Sequence, residues 1–360
     1  MKASRNASET EHLEYIFPAR KVAGTRTAVV EQLDELIAGI GGLRQIVTHG
    51  APVPPAPKPK RRLRILRAIL PAIVGLATVL AASSAAAQSG AGAAEPPQAA
   101  ADPNPGAVTV TGGVDAVNQY MFRGIRQNST GIAVWPWADL GVALWSGDGG
   151  VKSVGLNLGS WNSLNTGDTG VDGPSGKLWY ESDFYATFGL GFGGGVSTAV
   201  TYTAYTSPNS MFSNVRELMF KLAVDDSAHF GKAAVKPYVV IAREFDTAPG
   251  VGQADGGTKA GTYLEFGVAP GYAGSKASLA VPIKLGLSLG NYYELSGDDH
   301  RFGFFSVAGI VTVPLGATNR FGGWNLHGGV EFQKLGDTTA FFNAGKRTQV
   351  IGSVGIGFTY

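Results

Sequence analysis

In a chain without cysteine, chemistry has to come from histidine, carboxylates and hydroxyls, and there are only five histidines in 360 residues. His12 and His49 lie in a basic N-terminal region. His229 and His300 end the turn-like stretches Asp225-Asp226-Ser227-Ala228-His229 and Gly297-Asp298-Asp299-His300. A nucleophilic site needs a hydroxyl, a base and an orienting acid or amide in one place. His327 alone stands in a strand-like run, and no serine is spaced to pair with it. Asp298, Asp299 and His300 carry cation-ligating groups, but a lone acidic turn is by default solvated. The glycine run 191–195 lacks the Lys-Ser/Thr that follows a phosphate loop. These tests give the expectation of no enzymatic activity, no metal and no cofactor. The missing cysteines also exclude disulfides, thiolate ligands and a lipidated cysteine.

What remains is a set of charged residues recurring at every second position of apolar runs. From Ala107 onward the sequence shows no helical period, only period-two runs broken by Gly, Asn, Asp, Ser and Pro. They begin near Ala107, Gly131, Lys152, Leu178, Gly195, Val215, Ala233, Ala260, Val281, Phe302, Gly323 and Gln349, which predicts about twelve strands. Strand side chains alternate between two faces. In the fourth run Tyr180, Ser182, Phe184 and Phe188 oppose Glu181, Asp183 and Thr187; in the eleventh, Trp324, Leu326, Val330 and Phe332 oppose Asn325, His327, Glu331 and Gln333. One half suits lipid and the other water. The fold class expected is all-β, an antiparallel up-and-down transmembrane β-barrel of about twelve strands. Strand-end aromatics, among them Tyr120, Phe122, Trp135, Trp137, Trp145, Trp161, Trp179, Tyr292, Tyr293, Phe302 and Trp324, fit interfacial girdles.

Composition agrees: 52 Gly, 18 Phe, 12 Tyr and 6 Trp accompany only 16% charged residues. Residues 1–87 hold 12 Lys and Arg against 6 Asp and Glu, and the remainder holds 17 against 21, so the +2 net charge conceals +6 and −4. A mildly acidic mature chain offers no footprint for nucleic acid. Residues 58–87 read as a signal peptide: a basic start, an apolar stretch too short for a spanning helix, and Ala85-Ala86-Ala87, with Ala85 and Ala87 at the −3 and −1 positions of the cut. Residues 1–57 form an N-terminal extension, helical in pattern over 27–47 and ending in a Pro-rich linker, or else reflect a start assigned too far upstream. Residues 88–106 read as a disordered lead-in, and 107–360 as the barrel.

The stretch Tyr120-Met121-Phe122-Arg123-Gly124-Ile125-Arg126-Gln127 resembles the Gcw_chp family of uncharacterised proteobacterial outer-membrane proteins. Its members carry a tyrosine, an apolar pair and Arg-Gly-Ile/Val-Ser-Gln; here Arg126 replaces the serine. The matching positions are Tyr120, Phe122, Arg123, Gly124 and Gln127, and the resemblance implies a barrel of unsettled function, with transport often guessed. The last run, with Val350, Val354, Ile356, Phe358 and Tyr360 on one face, resembles the C-terminal signal that barrel-assembly machinery recognises, carried by Phe358 and Tyr360.

If Tyr120 and Phe122 face lipid, then Gln119, Arg123 and Asp115 face inward and Gly124 begins the exit from the first strand. An inward arginine needs an acidic partner, to be found among Asp139, Glu181, Asp183, Glu217, Glu265 and Glu331, which share the interior with Lys221, Lys284 and His327. A charge-paired lumen follows, serving as a selective constriction or as filling. The expectation is therefore a Gram-negative outer-membrane barrel, exported by a cleaved signal peptide, embedded in lipid and passing small solutes as porins do. The alternative is a non-conducting barrel that acts through its loops, the longest being 162–176 and 247–259.

Overall fold

The computed structural model describes residues 106–360 apart from 129, 168–177, 246–258 and 319. The extension, the signal peptide with Ala85 and Ala87, nearly all of the lead-in and most of the two long loops lie outside the described residues.

Twelve strands form the wall. They are β1 Val108–Val117, β2 Ala133–Ser146, β3 Val151–Asn165, β4 Trp179–Phe192, β5 Val196–Thr206 and β6 Val215–Val224. After them come β7 Tyr238–Phe245, β8 Thr262–Val268, β9 Ile283–Gly290, β10 Phe302–Pro314, β11 Gly323–Leu335 and β12 Thr348–Thr359. Each pairs antiparallel with its sequence neighbour, and β1 pairs with β12 from Thr111↔Thr359 to Val117↔Ser353, closing the barrel. Closure pairs each of these twelve strands on both sides, as a wall in hydrocarbon requires. Tyr360 and Val110 exchange backbone hydrogen bonds of 2.6 and 2.7 Å at the seam.

This topology puts both ends of the described chain at one rim, the terminal rim. The turns at 147–150, 193–195 and 274–277 share it, while 118–132, 291–301 and 336–347 lie at the opposite loop rim. A short helix, α1 Ser227–Phe230, and one 3-10 turn delay the seventh strand to Tyr238, past its expected start at Ala233. A second helix, α2 Asp337–Phe342, sits at the loop rim. Pro270 and Pro282, which cannot donate to a ladder, interrupt β8 and β9; beyond them Gly271–Ala273 and Ser278–Ala280 continue the hairpin, and Ala280 pairs with Ile310 of β10.

The alternation read from the sequence holds over most of the wall. Phe184, Phe188, Trp324, Leu326, Val330, Phe332, Val350, Val354 and Ile356 all face outward and are exposed. Apolar side chains of this size on every side of a barrel make a surface for lipid and not for water. No helix among the described residues is long and apolar enough to cross a membrane.

Tyr180 departs from the rule. The β3–β4 register shifts by one residue, with Ser163 opposite Glu181 but Leu164 opposite Trp179. Trp179 stays outside, while Tyr180 is buried against Tyr120 and Phe212.

Val330 lies near the middle of β11 and is 58% exposed on the outer face. Val330→Arg is expected to destabilise the protein folded in lipid vesicles by about 2–4 kcal/mol, measured by denaturant titration. A soluble sheet would tolerate the same change at an exposed position.

Candidate functional site: the plugged lumen

The segment after β1 does not continue along the wall. It turns into the lumen as a minimal hairpin, Met121–Phe122 paired with Ile125–Arg126. Its two turn residues both have positive φ, Arg123 at 46° and Gly124 at 86°, which makes a tight hairpin turn whose twist suits its flanks. Glycine takes this backbone freely. At Arg123 the same backbone costs roughly 1–3 kcal/mol, a strain that surrounding contacts must offset.

They are supplied from all around the barrel. Arg123 donates from Nη1 and Nη2 to the two carboxylate oxygens of Glu217 at 2.6 and 2.8 Å, and from Nη1 to the Tyr292 hydroxyl at 2.7 Å. Its guanidinium lies 4.2 Å from the centre of the Tyr263 ring and 5.0 Å from that of Phe122. Tyr205 donates its hydroxyl to Glu217 at 3.2 Å. The turn carbonyls are held too: Arg123 O accepts from the Tyr293 hydroxyl and Gly124 O from Asn343 Nδ2, just past α2. A Cβ on Gly124 would sit 3.1 Å from Phe304 of β10 and 3.2 Å from Thr339 of α2.

The near side of the plug is anchored equally. Tyr120 donates its hydroxyl to Glu181 of β4 at 2.7 Å and its ring packs on Trp135 and Trp161. Asn128 Oδ1 accepts from the Tyr120 amide, Gln127 Oε1 accepts from the Tyr180 hydroxyl, and Phe122 packs edge-on against Tyr205. Tyr120, Phe122, Trp135, Trp161, Tyr292 and Tyr293 are all buried.

Two expectations are thereby corrected. Tyr120 and Phe122 do not face lipid, because β1 ends at Val117 and they belong to the plug; Gly124 is the apex of the plug turn and not an exit from the strand. Of the aromatics expected in girdles, Trp145, Trp179, Phe302 and Trp324 face outward at strand ends, whereas the six buried ones and Trp137, which donates to Asp115, turn into the lumen. An aromatic at a strand end serves a lumen packing as well as a headgroup layer.

Beyond the Arg123 contacts the inward groups form separate clusters. Glu265 of β8 accepts from the Tyr238 and Tyr263 hydroxyls at 2.8 and 2.5 Å, and Lys221 lies 4.7 Å from the Tyr238 ring centre. Lys284 and Glu331 are buried on the same inner wall, as are Glu181 and Asp183 beside each other on β4. Asp139 accepts from the Tyr185 hydroxyl and from Asn157 Nδ2, each at 2.8 Å. Asp115 of β1 contacts His327 Nε2 of β11 at 2.5 Å across β12 and also accepts from Trp137 Nε1. Gly355 lies between them, and a Cβ there would fall 2.1 Å from the Asp115 carboxylate. Glycines do the same elsewhere: Gly159 and Gly267 face Tyr185 and Tyr238 directly across the ladder and leave space for their rings.

Every lumen residue expected from the sequence therefore points inward, but they do not make one network. Arg123 chooses Glu217, while Asp115 and His327 pair with each other across β12. Reading the sequence alone missed Tyr205, Tyr263, Tyr292, Asn343 and Glu244, whose carboxylate accepts from the Gly261 amide. A usable signal existed in Arg123-Gly124 between Met121-Phe122 and Ile125-Arg126, a glycine-bearing pair set between two short runs that can pair as a two-residue hairpin.

No protein-family model matches the chain and no curated protein matches it, so the Gcw_chp resemblance rests on its motif. Solved barrels are similar to it. The NanC porin is 13% identical with a TM-score of 0.36, over 70% of this chain and 99% of that one. An outer membrane channel from Pseudomonas putida F1 is 11% identical with a TM-score of 0.40, over 71% and 97%. Outer membrane phospholipase A from Escherichia coli is 13% identical with a TM-score of 0.36, over 69% and 92%. These likenesses concern the barrel fold alone. Because a phospholipase is among them, the expectation of no enzymatic activity is corrected: a barrel of this form also houses an enzyme.

Replacing Arg123 by Ala leaves the Glu217 carboxylate buried without its cation. The expected loss is about 3–5 kcal/mol, read from denaturant midpoints, with Arg123→Ala/Glu217→Gln less destabilised than the single variant. Outside the wall, the Arg347 guanidinium, 2.6 Å from Asp337 in α2, holds that carboxyl below the usual aspartate range, with His300 adding a smaller effect. A depressed carboxyl contributes stability above the unfolded aspartate's pKa and loses it as pH falls through the lower folded value. Carboxyl NMR titration should find Asp337 shifted down in the wild type and returned towards the ordinary value in Arg347→Gln.

Proposed function

We propose that the chain is an outer-membrane barrel of a Gram-negative bacterium that passes small solutes through its charged lumen and is held shut by the Arg123 plug. The observation that carries this reading is the contrast between two inward ion pairs. Asp115 of β1 and His327 of β11, paired across β12, keep side-chain exposures of 20% and 22% although both point inward, so a polar cleft reaches them. Towards the loop rim Arg123 and Glu217 are 6% and 1% exposed in a packing that crosses the lumen. Passage then requires the plug to shift, and breaking one ion pair releases its central tie. Export by a signal peptide, contact with membrane lipid, and recognition of Phe358 and Tyr360 by assembly machinery belong to the same reading. Phe358 packs against Trp324 with ring centres 4.8 Å apart and Tyr360 is exposed at the seam.

A second reading, a non-conducting barrel acting through its loops, draws on the density of the aromatic packing around Arg123. Planar-bilayer recording separates the two. Wild type is expected to open rarely, and Arg123→Ala or Glu217→Gln, shown to be folded by heat-modifiable gel mobility, to give more frequent or larger steps. Silence from wild type and both variants would defeat the passage reading and leave the second.

A further inference from the structure

The twelve strands sort their charges by face and by height. All of their Asp and Glu residues point inward, and Lys152 sits in the β3 bulge by a terminal-rim turn, its ammonium on the Asp148 carbonyl. The outward face carries three charged side chains among the described strand residues: Arg216 on β6, Arg243 on β7 and Lys334 on β11. All three are basic, exposed and close to the loop rim. The outward positions near the terminal rim on the same strands are neutral: Val224, Val239 and Trp324. If these residues merely extended their charges into water there would be no reason for one sign at one rim.

Arg216 and Arg243 are also neighbours. Arg216 pairs with Phe245 and Arg243 with Leu218, which makes the two arginines diagonal on one outer face, about 7–8 Å apart at the backbone. The two arginines therefore share one stretch of the outer face, and no acidic side chain of the strands faces outward to neutralise them. Arg243 is fixed in place: its Nη1 donates to the Ala260 carbonyl at 3.0 Å and to Thr262 Oγ1 at 2.8 Å. Below the pair the wall continues with Leu218, Phe220 and Ile241, exposed and apolar.

Resting on the reading that these strands cross a membrane, we propose that Arg216 and Arg243 bind the phosphate monoester headgroup of a lipid in the leaflet at the loop rim, with its acyl chains along Leu218, Phe220 and Ile241. The planar guanidinium fork suits phosphate oxygens, and a dianionic monoester offers more charge than a diester. The apolar strip beneath selects a lipid over a free ion.

The test is native mass spectrometry of the full chain in detergent, titrated with phosphatidic acid or phosphatidylcholine. Wild type should retain phosphatidic acid about tenfold more strongly, as charge-assisted contacts of this kind allow. Arg216→Gln/Arg243→Gln, checked for folding by heat-modifiable mobility, should lose that preference. Should the double variant misfold, wild type alone decides: its preference must fall as salt is raised. Equal retention of the two lipids by wild type, an unchanged preference in the folded double variant, or displacement of the lipid by inorganic phosphate would overturn the proposal. Failure of wild type to insert into phosphatidylcholine vesicles would instead overturn the membrane reading, and this site with it.

Discussion

A guanidinium inside a barrel wall has lost most of its water and must recover that solvation from the protein, and the loop-rim half of this molecule is organised around doing so for Arg123. Glu217 supplies both carboxylate oxygens, Tyr292 a hydroxyl, and the Tyr263 and Phe122 rings their faces. These come from β6, β8, the 291–301 loop and the plug itself, so one cation ties together parts of the chain up to 169 residues apart. The strained turn that presents the arginine is tolerable because Tyr293 and Asn343 hold its two carbonyls.

The same constraint explains the aromatics and glycines of the inner wall. A barrel of twelve strands is wide enough to need filling, and here tyrosine and tryptophan fill it while keeping a polar tip for a carboxylate. Tyr120 meets Glu181, Tyr185 meets Asp139, and Tyr238 and Tyr263 meet Glu265. Rings of this size lie flat only where the neighbouring strand has no side chain, which is the part played by Gly159 opposite Tyr185 and Gly267 opposite Tyr238. The high glycine content is thus a packing feature as well as a turn signal.

Outside, the wall obeys a different solvent. Lipid tolerates no unpaired backbone and few charges, so the ladder closes on itself and the acids turn inward. The exceptions, Arg216, Arg243 and Lys334, stand near the loop-rim ends of their strands. Inside and outside are therefore two separate problems solved on alternate residues of the same strands.

That alternation is what the sequence by itself determined: twelve strands, begun within a few residues of where they lie except at Tyr238, the outward Trp324 and Val330, and the inward acids. Each follows from the two-residue period of an extended chain, a local property that needs no knowledge of neighbours. The tertiary structure decided where that period stops governing. A register shift between β3 and β4 buries Tyr180, and the end of β1 at Val117 sends Tyr120 and Phe122 into the lumen. Among six inward acids it was also the closed barrel that chose Glu217 for Arg123, because which carboxylate meets a plug depends on the height and curvature of a wall assembled from the whole chain.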